Sequence, residues 1–375
     1  MARIHVLLCH QVETSNCENM KTLKILFLLS TAVFLSNCGS DDEVAKTLDV
    51  PASFTVNIPD AISSNSAALS GRTDGDGNGF IEGNEIYESL RGFIYVGEEA
   101  AGIMEFVLDV AVELEAADLR TFEFTGDADG RPKRIDIVEN VTRGGNSFEY
   151  EMRMVDVENE DLALQLLWNT NPVIGIGILN PYQIERKEET SADTFIRIDY
   201  GDRVLGYDAV MQVQISGLDV VENGDIDNMS LFVGRMGDLI DVIGNSNHPN
   251  LIILDDTFEG GRSYVFVGRG DETSNIGVVK LALPPSGPTT GNYFETHSVF
   301  SVLQSEIQSI GISDQSVIDD ILQEAQSPAY FDADGFITSG EDNKPIDFSS
   351  VFVDLSSLEA FVPTDIRELK INFIQ

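Results

Sequence analysis

Cysteine is nearly missing from this chain, and its position matters as much as its scarcity. The three cysteines are Cys9, Cys17 and Cys38, so nothing after residue 38 carries a thiol. That stretch therefore forms no disulfide, no cysteine–zinc centre and no cysteine nucleophile, and it must be held by its core. Histidine is almost as rare: beyond residue 38 only His248 and His297 remain. Trp168 is the single tryptophan, which argues against an aromatic platform for sugars. Positive charge is short as well, with 23 Lys and Arg against 63 Asp and Glu and a formal net charge of −40. A field of that sign repels nucleic acid and anionic headgroups, and it favours solubility and cations. There is no zinc-protease helix motif and no phosphate-cradling glycine loop ahead of a helix, and no repeat of solenoid period.

What is present begins with residues 20–43. Lys21 and Lys24 form a basic start, and Ile25 to Leu35 form an apolar run too short to span a bilayer. Leu35-Ser36-Asn37-Cys38 follows at once, then Gly39-Ser40-Asp41-Asp42-Glu43. The box resembles the lipobox of bacterial lipoproteins. The acidic run after it resembles the surface-export signal of Bacteroidota lipoproteins. The resemblance implies that Cys38 is acylated and becomes the N-terminus, fixed to the outer membrane and facing the exterior. Residues 1–19, which carry Cys9, Cys17, Glu13 and Glu18, place no clean basic region, so Met20 is read as the start and 1–19 as an upstream extension.

Asp74-Gly75-Asp76-Gly77-Asn78-Gly79-Phe80-Ile81-Glu82-Gly83-Asn84-Glu85 has the spacing of a calcium loop. Ca2+ takes hard oxygen ligands, and this stretch matches the EF-hand loop at each diagnostic position. The resemblance implies side-chain ligands from Asp74, Asp76 and Asn78, the carbonyl of Phe80, Glu82 directly or through water, and a bidentate Glu85. Asp332, Asp334, Gly335 and Glu341 keep part of the spacing, but Tyr330 stands at the first position, so this stretch reads as a turn. Asp127-Ala128-Asp129-Gly130 reads as a hairpin tip.

The rest divides by periodicity. Residues 38–60 read as a lipidated tether. Residues 61–118 hold the calcium loop and a helical stretch, with Ile86, Leu90, Phe93 and Ile94, then Ile103, Phe106, Val107 and Val110, at helical spacing. Gly92, Gly97 and Gly102 predict a bend or two helices. Residues 119–283 change to period two, as in Phe148, Tyr150, Met152 and Met154 or Met211, Val213 and Ile215. Asp129-Gly130, Gly144-Gly145 and Gly201-Asp202 supply turns between them. About eight to ten strands in an antiparallel meander are expected, curled into a half-barrel or open barrel. Residues 284–297 read as a Pro/Gly linker. Residues 298–375 read as helices, with Ser313 and Ser316 as caps, then a hairpin and one or two strands around Val351, Val353, Ile371 and Phe373, packing on the sheet. The fold class expected is α+β.

No catalytic arrangement emerges. The run Gly244-Asn245-Ser246-Asn247-His248 lacks the second glycine of a nucleophile elbow. The first expectation is a non-enzymatic lipoprotein with a binding or structural role, joined to the membrane by its anchor, with Ca2+ as cofactor and a protein or glycan as partner. The alternatives are a periplasm-facing lipid or lipoprotein carrier with a half-barrel and, third, a hydrolase.

Overall fold

The computed structural model describes residues 51, 53–64, 83–116, 120–126, 129–184, 191–217, 228–246, 263–285, 292–349, 355–359 and 366–375. The export segment, Cys38 and the calcium loop up to Glu82 lie outside the described residues, as do His248, Val351 and Val353.

Alternating side chains build a sheet, and here they build one long one. The strands are β1 (Thr121–Thr125), β2 (Pro132–Arg143), β3 (Asn146–Asp156), β4 (Leu162–Thr170), β5 (Val173–Leu179), β6 (Phe195–Asp202) and β7 (Ala209–Ser216). They continue with β8 (Met229–Met236), β9 (Leu239–Ser246), β10 (Val265–Asp271), β11 (Ile276–Ala282), β12 (Ala329–Asp332) and β13 (Gly335–Ser339). All 13 lie in chain order in one open, unclosed antiparallel sheet. The α+β class and the curved meander are thus observed. Eleven of the strands fall before residue 283, rather than eight to ten. Strands such as β9 and β10 are buried on both faces and so lack the alternation that marks a half-wet strand.

Because each strand reverses the last, the hairpin turns sort to two ends. The turns at 144–145, 171–172, 203–208, 237–238, 272–275 and 333–334 share one end, called here the tip rim. Register keeps the large apolar residues on one face: Tyr150 opposes Trp168, Met152 opposes Leu166 and Met154 opposes Leu164, with the Tyr150 and Trp168 rings stacked at 5.1 Å.

That concave face is occupied by one helix, α1 (Asn84–Ala116), unbroken over 33 residues. Of the expected bend or two helices, the second is corrected: the stretch is one helix. Gly97 does not break the helix; it lets it sit against β8, where an added Cβ would come within 2.6 Å of Leu231 and 2.8 Å of Met229. Tertiary packing overrides the weak local preference. The helix crosses the strands in reverse order. Tyr87 meets Phe331 and Phe336 on β12 and β13. Phe93 meets Tyr264 and Phe266 at β10, and Met104 fills the space above Gly177 on β5. These residues join the strands in one buried cluster.

Residues 53–64 lie beside α1 along the tip rim. Phe54, Val56, Ile58 and Ile62 are buried in the same cluster. Phe54 covers Gly175 and meets Tyr200 at 5.6 Å. Pro59 covers Gly270, Ile62 covers Gly277, and the Ala61 N–H donates to Asn275 Oδ1 at 2.9 Å. The stretch expected to be tether as far as residue 60 is therefore packed chain from Ser53 onward. The inward step at 54, 56 and 58 is the period of an extended chain.

The convex face is covered by the C-terminal residues. Phe348, Leu355 and Leu358 pack over Ile243, Val267, Val278 and Tyr330. Residues 366–375 form no strand, contrary to expectation. They run across the sheet as a strap tied to side chains and a turn. Asn228 Nδ2 donates to the Ile366 carbonyl, Ile374 exchanges two bonds with the Gln165 amide, and the Gly144 N–H donates to the Gln375 carbonyl. The helices α2 (Val299–Ser309) and α3 (Gln315–Ile321) belong instead to the other face, where Val299, Val302, Leu303, Ile307 and Ile318 join the cluster that holds α1. Ser298 caps α2 by accepting from the Ser301 N–H. The α3 cap is Asp314, not Ser313 or Ser316; its carboxylate accepts from the Ser316 N–H, as an N-cap side chain does.

Candidate functional site

A recess lies between residues 55–64 and α1, with a volume of about 420 Å3. Its walls are polar: Thr55, Asp60 and Ser63 on one side, Glu98, Glu99 and Glu105 on the other, with Met211 of β7 also lining it. Its position follows from the two periods of the chain. Phe54, Val56 and Ile58 turn into the core, so Ser53 and Thr55 turn toward α1. Glu98 and Glu105, two helical turns apart, line the flank of α1 that the sheet leaves uncovered.

Hydrogen bonds stitch the two walls together. Thr55 Oγ1 and Ser53 Oγ donate to Glu105 Oε1 at 2.5 and 3.0 Å, and Ser63 Oγ donates to Glu98 Oε2 at 2.5 Å. Arg91, whose guanidinium bridges Glu88, also donates to the Asp60 carbonyl at 2.8 Å. Glu98 is held above the usual carboxylate range chiefly by burial. The bonds from Ser63 and the Ile58 N–H oppose that, and repulsion from Asp60 and Glu99 adds to it. The recess thus offers hydroxyls and carboxylates to cations or hydrogen-bond donors. It holds no cysteine, histidine or lysine.

A second ionic cluster sits at the opposite end of the sheet, and it is structural. Lys133, 1% exposed, donates to Asp129, Asp156 and the Gln183 carbonyl, while Arg131 forks onto Asp156 at 2.6 and 2.9 Å. Buried charges are tolerated only when paired in this way. On the convex face Arg269 forks onto Asp241, which also accepts from Tyr207 Oη at 2.9 Å.

The residues singled out from sequence fare unequally. Cys38, Asp74, Asp76, Asn78, Phe80 and Glu82 lie outside the described residues. Glu85 stands in the first turn of α1, where the last ligand of a calcium loop opens its helix. Asp332-Ala333-Asp334-Gly335 is the β12–β13 turn, closed by Asp332 accepting from the Asp334 N–H. Ser246 is buried and accepts from the Tyr264 N–H. Among the described residues no three His, Cys, Asp or Glu side chains converge to hold a metal ion, and no helix is long and apolar enough to cross a membrane. The recess itself was missed. Its signal was the seven-residue spacing of Glu98 and Glu105 together with the alternation of Ser53 and Thr55 with Phe54 and Val56. No family model matches the chain, and neither a curated protein nor a solved structure matches it.

Proposed function

We propose that this chain is a lipid-anchored outer-membrane protein, exposed on the cell exterior, whose body binds or supports a partner rather than catalysing a reaction. The observation that carries the reading is the run from Lys21 through Leu35-Ser36-Asn37-Cys38 to Asp41-Asp42-Glu43. Two or more acyl chains on Cys38, at about 0.8 kcal/mol per buried methylene, hold a protein to a bilayer without a spanning helix. The packing supports a binding or structural role over a lipid carrier. The hollow of the curved sheet is filled by α1 and by Phe54, Val56, Ile58 and Ile62, leaving the polar recess as the body's contact for a protein or glycan. A Ca2+ ion held by the loop ending at Glu85 would then brace the start of α1. The test is metabolic labelling with a fatty-acid analogue: the wild-type chain takes up label and Cys38→Ala does not. Label retained in Cys38→Ala, or absent from both, overturns the anchor. Protease treatment of intact cells separates exterior display from a periplasm-facing site, because only a displayed body is cut.

A further inference from the structure

Three neighbouring hairpin tips on the tip rim carry exposed apolar side chains. They are Pro172 between β4 and β5, Leu205 between β6 and β7, and Met236 at the end of β8. Leu205 is 72% exposed and Met236 45%. Leu205 also has φ +55°, a left-handed backbone that disfavours a bulky side chain. Water gives no reason for a leucine to be both strained and bare. The tips are adjacent: the Asp208 N–H donates to the Arg235 carbonyl and the Gly237 N–H to Asp208 Oδ2, each at 2.8 Å. The same two tips present Arg203 and Arg235, both exposed and without an ion pair among the described residues. The turn between β3 and β4, at the other end of the sheet, is different. It exposes Glu158, Asn159, Glu160 and Asp161 and no apolar side chain, whereas the two tips set Leu205 and Met236 beside the exposed Asp208 and Asp238.

The chain enters its fold at this same rim. Phe54 seats on Gly175 and Tyr200, which pair across β5 and β6 just below the first two of these tips. Fourteen residues separate Cys38 from Ser53, a span of at most about 50 Å even when fully drawn out. An anchor at Cys38 therefore keeps these tips near the lipid.

We infer that the tips between β4 and β9 rest on the bilayer that holds the anchor, with Leu205 and Met236 in its interfacial layer and Arg203 and Arg235 at lipid phosphates. This rests on the lipid-anchor reading. Two apolar side chains bind a membrane weakly alone, and the overall negative charge opposes contact. A short tether supplies an effective concentration of order millimolar, so little intrinsic affinity is needed. Arginine suits the site because it binds phosphate in a planar fork.

The experiment uses the mature chain with Cys38→Ser and an N-terminal hexahistidine, held on phosphatidylcholine vesicles by a nickel-chelating lipid. Attachment then does not depend on acylation. An environment-sensitive fluorophore goes on the sole thiol of Leu205→Cys or, as a control, Glu158→Cys. Lipid-borne nitroxide is expected to quench the label at 205 several-fold more than the label at 158, with a blue shift at 205 only, and Met236→Asp is expected to reduce both signals. Equal quenching at the two positions, or stronger quenching at 158, overturns the inference. A label at 205 already shielded in vesicle-free protein also overturns it and assigns the tips to a protein contact. An unacylated mature N-terminus by mass, by contrast, overturns the anchor reading and leaves the vesicle result to stand alone.

Discussion

The Phe54 ring lies so close over Gly175 that a Cβ added to that glycine would fall 2.4 Å from Phe54 Cζ. The bare glycine makes room for the ring, and the ring fastens residues 53–64 to β5. Gly175→Ala is expected to lower stability by about 1–3 kcal/mol through overpacking, and Phe54→Ala by about 3–5 kcal/mol through the cavity it leaves. The decisive measurement is the double variant in urea melts. With the ring gone, Gly175→Ala costs little. An undiminished cost would mean that the two do not meet.

Glu98 supplies a pH dependence whose sign follows from burial. Its folded-state pKa is raised, so the folded chain binds this proton more tightly than the unfolded one. The associated stability is full in acid and is lost as pH rises from the unfolded value, about 4.3, through the raised folded value. Glu98→Gln keeps an acceptor for Ser63 but never ionises. Its melting temperature should exceed that of the wild type at pH 7 and match it near pH 3. A difference that stays constant across that range would refute the assignment.

Asp156 titrates in the opposite sense. It is fully buried, and the Arg131 fork, aided by Lys133, holds its carboxyl well below the usual range. The stability it contributes is present above the unfolded pKa, about 3.9, and is lost as pH falls toward the depressed folded value. Asp156→Asn should cost about 3–5 kcal/mol at pH 7, because Lys133 is left buried without its full complement. The gap to the wild type should narrow below about pH 4. Denaturant titrations at pH 7 and pH 3 read both effects.

Calcium should act through Glu85 at the head of α1. Melting in millimolar calcium is expected to exceed melting in chelator for the wild type, with Glu85→Gln abolishing the difference and leaving the chelator curve close to the wild type. Superimposable wild-type curves would remove calcium as a stabilising ligand. Extracellular modules of this kind bind at about 10⁻⁴–10⁻³ M, which sets the concentration to use.

Much of this architecture was legible because the sheet obeys a period of two wherever one face is wet. Tyr150, Met152 and Met154 declare their face, and so do Met211, Val213 and Ile215. The reading failed where neighbours, not sequence, decide. Gly97 looks like a break and is a close-packing contact with Leu231. Ile371 and Phe373 look like a strand, yet the Ile371 N–H donates to Ser216 Oγ and Phe373 packs edge-on against Phe195. The recess escaped for the same reason. Its two walls are brought together only by burial of Phe54 and Ile62 against strands far along the chain, and no local pattern carries that distance.

Each strand pairs with the next one along the chain, but Tyr87 donates its hydroxyl proton to the Gln326 carbonyl across 239 residues. A chain made from its N-terminus therefore completes its longest helix well before the last hairpin on which that helix must lie. Until Phe331 has emerged, the greasy side of the helix has no seat and depends on helpers or on haste. A product cut short just before β12 would keep eleven strands and still lack the place where its helix begins, leaving it prone to clump rather than merely loosened.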